Sequence, residues 1–83
     1  MTTREVNVTS ANWTAVTKTT AGPIEFQVND SFVWAFAGST APTITGFTGV
    51  SGTLYQLFSG SKTLWIKSSS TGKKCQVNGG IAP

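Results

Sequence analysis

The feature that most constrains this chain is the alternation of apolar and polar residues along 23–29 (PIEFQVN). Ile24, Phe26 and Val28 fall on one side, and Glu25 and Gln27 on the other. Successive side chains of a strand point to opposite faces, so a period of two predicts a strand with one buried and one wet face. The period recurs in 4–9 (REVNVT), where Val6 and Val8 share a side. It recurs again in 12–18 (NWTAVTK), where Trp13 and Ala15 oppose Thr14 and Val16. No window carries the 3.6-residue apolar repeat of an amphipathic helix, and Thr, Val, Gly and Ser stand where helix formers would be needed.

Asn29-Asp30-Ser31 is a turn signal, followed by 32–37 (FVWAFA). Here both faces are apolar: Phe32, Trp34 and Phe36 on one, Val33, Ala35 and Ala37 on the other. Such a strand needs cover on both sides, either from a neighbouring subunit or from a loop of its own chain. Gly38 to Pro42 reads as a loop, and the glycines at 46, 49 and 52 are expected to break any regular element between 43 and 52. Phe47 and Val50 sit apolar within that stretch, placed to plug an open edge or to reach into a partner. Residues 53–58 (TLYQLF) and 63–68 (TLWIKS) read as strands joined by a short turn, a hairpin signal, and 73–78 (KKCQVN) as the last strand. Seven short strands at this spacing predict an all-β fold, a small antiparallel β-sandwich or jelly-roll-like domain. Residues 1–83 form one such domain, with 1–11 available as an extended N-terminal arm.

A fold of this size has little core, and below about 70–80 residues small domains draw on disulfides, metals or association. The chain has 83 residues, one cysteine and no histidine. An intrachain disulfide is thereby excluded, and a Cys/His zinc site cannot be built. Association with copies of itself or with a larger partner is the support that remains.

The same inventory bears on catalysis. Acidic residues are Glu5, Glu25 and Asp30, and nothing in their spacing marks a catalytic pair. Cys75 has no general-base partner and falls on the inward side of its strand, where it acts as a small hydrophobe. The glycines of GFTGVSG precede neither a lysine nor a helix, so they form no phosphate loop. The chain is read as non-enzymatic, with no catalytic residues, metal or cofactor.

Net charge is +3 and unevenly placed: Lys62, Lys67, Lys73 and Lys74 lie in a C-terminal half that contains no acid. Four lysines without arginine make a thin footprint for nucleic acid, which is therefore not the expected partner. No stretch reaches the length of a membrane span, and the N-terminus lacks the apolar core of a secretory signal, so synthesis in a cytoplasm is expected and no membrane partner. Among the aromatics, Trp65 alternates with Leu64 and Ile66 beside Lys62 and Lys67, which makes it the candidate for an exposed ring. An exposed ring would suit stacking on a sugar or on single-stranded bases; core packing is the ordinary use of such residues.

Three motifs together carry a family resemblance: Trp13-Thr14-Ala15-Val16, the turn Gly38-Ser39-Thr40-Ala41-Pro42 and the Leu-Trp-Ile-Lys-Ser run of residues 64–68 between Gly60 and Gly72. In these the chain resembles the very small all-β structural proteins of tailed-bacteriophage virions. The resemblance implies a capsid decoration (cement) protein, or an accessory of a head fibre or tail, made in the bacterial host cytoplasm and seated on the virion. It implies a homo-oligomer, with a trimer favoured, and the major capsid protein or another virion protein as partner. Candidate contacts on this reading are Phe47, Val50, Trp65, Lys62, Lys67, Lys73 and Lys74. A sugar- or receptor-binding module of a tail fibre is the alternative, and an OB-like single-strand binder the third reading.

Overall fold

A computed structural model describes residues 3–16, 23–58 and 62–79. Eight strands are present: β1 Thr3–Val8, β2 Thr14–Ala15, β3 Pro23–Val28, β4 Phe32–Ala37, β5 Phe47–Gly49, β6 Tyr55–Phe58, β7 Thr63–Ser68 and β8 Lys73–Gly79. They form two four-stranded antiparallel sheets, ordered β1-β8-β3-β6 and β2-β7-β4-β5. First pairs with last, second with seventh, third with sixth and fourth with fifth. This is the winding of a jelly roll.

The alternation in the sequence sets which side of each strand enters the space between the sheets. Val8, Ile24, Phe26, Val28, Cys75 and Val77 enter it from the first sheet, and Val16, Phe32, Leu64 and Ile66 from the second. All are buried, and apolar area removed from water is the main favourable term, about 25 cal/mol per Å². Aromatic edges lock the two layers together: Phe26 meets Phe32 at 5.9 Å and Trp34 at 6.3 Å, both edge-on, and stacks on Tyr55 at 5.5 Å. Arg4 reaches from β1 to the Val16 carbonyl at 3.3 Å, tying the first sheet to the end of β2.

Four expectations from the sequence change. The eighth strand, β5, lies in the stretch where glycines were expected to prevent one. It pairs with β4 because Gly49 leaves room for Phe32: an added methyl group there would lie 2.1 Å from the ring. Gly46 makes the preceding turn at φ 86°. Residues 3–8 are an edge strand hydrogen-bonded to β8 and not a free arm; residues 1–2 lie outside the described residues. The β6 and β7 strands do not form a hairpin, since β6 pairs with β3 in one sheet and β7 with β2 and β4 in the other. A turn signal specifies that the chain reverses; it does not specify whether the next strand returns beside the last or crosses to the facing sheet. The 12–18 strand is reduced to Thr14–Ala15, followed by one further backbone bond from Val16 to Leu64; residues 17–18 lie outside the described residues.

The strand with two apolar faces finds part of its second cover within its own chain. Ala35 is 1% exposed although it points away from the core. Its cross-strand partner is Trp65, whose indole N–H donates to the Gly38 carbonyl at 3.2 Å. The ring of Trp13 lies over the turn at Gly46, itself against the Trp34 carbonyl. Val33 and Ala37, at either side of Ala35, remain half-exposed.

Candidate functional site

The outward faces of the two sheets differ in kind. On the first, polar side chains bridge neighbouring strands. Thr3 Oγ1 donates to Asn78 Oδ1 (2.6 Å), Gln76 Nε2 to Glu5 (2.7 Å), Lys74 Nζ to Asn7 Oδ1 (2.8 Å), and Gln56 Nε2 to Glu25 (2.6 Å). Lys74 also lies 3.5 Å from Glu5. Each polar group has a neighbour, which is what a solvated sheet face requires. On the second sheet the outward residues are mostly apolar, Trp13, Ala15, Val33, Ala35, Ala37 and Trp65, with Thr48, Thr63 and the cation Lys67 among them.

The titratable groups are shifted by their immediate neighbours. Hydrogen bonds from Gln56 and Asn78 hold the Glu25 carboxyl below its ordinary range, one from Gln76 does the same for Glu5, and one from Ser69 for Asp30. All three are thus kept ionised, a poor state for a general acid. Burial pushes the Cys75 thiol up to about 12, so it is almost wholly protonated and a weak nucleophile at neutral pH. Among the described residues no cluster of Cys, Asp and Glu has the composition of a metal site.

The lysines do not share a face. Lys67 lies on the outside of the second sheet, whereas Lys74 is engaged with Asn7 and Glu5 on the outside of the first. Lys73 is on the opposite side of β8 from Lys74, near Asp30, and Lys62 is exposed before β7. Because β7 and β8 belong to different sheets, the Lys62–Lys74 segment builds no continuous basic stripe. Trp65, expected as the exposed ring, is half-buried and its N–H is taken up by Gly38.

Exposed apolar surface is concentrated elsewhere. Ile44 (63% exposed), Phe47 (64%), Val50 (60%) and Leu54 (57%) all fall on one segment that contains β5 and its flanking loops. Phe47 does two things at once: its ring rests on Trp34 at 4.9 Å, and most of its surface is left to solvent. Among the described residues the strand β5 ends its sheet, with β4 on one side and no strand on the other. From Ser31 to Ser61 the chain has no charged residue. Exposed edges are usually blunted by charge or proline, and neither occurs in β5. Phe47 and Val50 were visible in the sequence as apolar residues among glycines. Ile44, in the same glycine-rich stretch, and Leu54, in the strand expected over 53–58, were not singled out, and it is the fold that leaves each of them exposed.

Comparison with protein families, with curated proteins and with solved structures found no match. The jelly-roll winding therefore stands on its own strand order. Function has to be read from this surface.

Proposed function

We propose that this chain is a non-catalytic structural protein that acts by assembly, associating with copies of itself and docking on a larger protein shell through the β5 edge. The observation that carries the proposal is the exposure of four large apolar residues, Ile44, Phe47, Val50 and Leu54, within one charge-free segment that contains the edge strand β5. Single exposed apolar residues are ordinary, whereas four large ones in one short segment point to an interaction surface. Motif resemblance gives the proposal its setting: a decoration protein on the surface of a tailed-phage capsid, present as a homo-oligomer, with the trimer as the favoured form. Jelly rolls occur among viral capsid proteins and lectins alike, so the winding is compatible with this setting without selecting it.

The mechanism is linkage. A protein that binds the assembled lattice and not its separated parts stabilises the lattice by mass action. The apolar segment would supply affinity, while the exposed Lys62 and the other lysines would act on association rate. Sedimentation equilibrium at micromolar concentration tests the first half, with an oligomer expected for the natural chain and a monomer for the Phe47→Ser, Val50→Ser double variant. Saturable binding to undecorated capsids, with a raised capsid melting temperature, tests the second. A folded monomer that neither binds nor stabilises capsids overturns the proposal.

A further inference from the structure

The outward face of the second sheet carries a feature of different chemistry, which adjoins β5 through Thr48 and Ile44. Pairing of Val33 with both Lys67 and Thr48 sets these three side by side, and Trp13, preceding Thr14, enters the same face next to Lys67. Together with Ile44 and Ser69 they line an open groove of about 480 Å³. Its parts are chemically distinct. Trp13 makes no ring contact with another aromatic among the described residues, so no other ring occupies its faces. Lys67 is half-buried and, among the described residues, has no carboxylate within ion-pair distance. Glu5, with Gln76 and Lys74, and Glu25, with Gln56 and Asn78, are engaged on the first sheet, while Asp30 is held by Ser69 at the margin of the groove. Ser69 donates its hydroxyl proton to Asp30 at 2.8 Å, which leaves its oxygen to accept from a ligand.

A lysine ammonium without a carboxylate partner offers its charge to an anion, and opposite charges attract more strongly beside a low-dielectric surface than in open water. An aromatic face beside it suits a body with a flat array of C–H groups, and hydroxyls at the margin suit a ligand with hydroxyls of its own. We infer that the groove binds a sugar acid, a pyranose bearing a carboxylate. The carboxylate meets Lys67 Nζ, the C–H face of the ring lies against Trp13, and ring hydroxyls reach Thr48 and Ser69. A neutral pyranose of the same shape lacks the charge that Lys67 selects.

The test is titration of the full chain with methyl β-glucuronide and, separately, with methyl β-glucoside, followed by amide NMR shifts and tryptophan fluorescence. Saturable shifts confined to the surroundings of Trp13, Val33, Thr48, Lys67 and Ser69 are expected with the glucuronide, and affinity for the glucoside weaker by about tenfold or more. Lys67→Gln should reduce glucuronide affinity by about tenfold at an unchanged unfolding midpoint, and Trp13→Phe should weaken both sugars while keeping a ring over Gly46. Equal affinity for the two sugars, indifference to Lys67→Gln, shifts centred elsewhere, or no saturable response at tens of millimolar would each overturn the inference.

Discussion

The ring of Phe32 lies across the backbone of its cross-strand partner Gly49, leaving no space for a side chain between them. Phe32 cannot easily yield, because it is buried and held edge-on by Phe26 and by Tyr55 at 5.7 Å. Gly49→Ala is therefore expected to destabilise the fold by about 1–3 kcal/mol, the usual range for overpacking. Urea denaturation checks this through the midpoint; an unchanged midpoint would mean that the ring moves aside freely.

Cys75 makes stability fall on the alkaline side. Its folded-state value of about 12 lies above the ordinary 9.0, so above pH 9 the unfolded chain loses a proton that the folded chain keeps. The slope from this group approaches about 1.4 kcal/mol per pH unit between those values. Stability measured from pH 8 to 11 should fall more steeply for the natural chain than for Cys75→Ala. The same burial predicts that a thiol reagent labels Cys75 only as fast as the protein opens.

The carboxylates act in the opposite direction. Glu5, Glu25 and Asp30 all titrate below their ordinary values, so each favours the folded state above those values and loses that contribution as pH falls through the depressed ones. The melting temperature should drop on acidification below the ordinary glutamate value of 4.5. Removing the Gln56 amide with Gln56→Ala should raise the Glu25 titration midpoint measured by carboxyl NMR. A Glu25 midpoint already at or above 4.5 in the natural chain contradicts the prediction.

The Tyr55 hydroxyl accepts the Val50 N–H at 2.8 Å, fastening the loop after β5 to β6 of the facing sheet. Tyr55→Phe keeps the ring against Phe26 and removes only this acceptor. A cost of about 0.5–1.5 kcal/mol is expected, the usual net value of one hydrogen bond. Amide exchange should accelerate at Val50 while Phe26 keeps its protection; equal protection at Val50 in both proteins would show that the bond contributes nothing.

How far the sequence could be read depended on what each residue reports. Ile24, Phe26 and Val28 report their own burial through their spacing, and all three are buried. The two-sided apolar strand 32–37 likewise announced that Ala35 would be covered, though its cross-strand partner Trp65 was not identifiable as its cover. Periodicity carries no information about which strand is a neighbour. Leu64 faces the core whether β7 joins β6 in a hairpin or crosses to the other sheet, so the winding was open until the registers were known.

Glycines misled in a physical way. They were read as breakers at 46, 49 and 52, yet Gly49 is used as a strand residue because its missing side chain admits Phe32. The candidate surface was half legible for the same reason. Phe47 and Val50 stood out as apolar residues in a weak segment, whereas the groove brings together Trp13, Thr48 and Lys67 from three distant parts of the chain.

The placement of β8 between β1 and β3 has a kinetic consequence. Those two strands have no register with each other, and only Lys73–Gly79 joins them into one sheet. Pairings that span so much of the chain are slow to form, since the loop must be closed before any contact rewards it. A nascent chain that has emerged only as far as β7 can assemble β2, β7, β4 and β5, but its β1 has no place to go. Folding must then wait for β8 and finish by insertion of a central strand, leaving Val6, Val8, Ile24 and Phe26 exposed to one another and to neighbouring chains until it arrives.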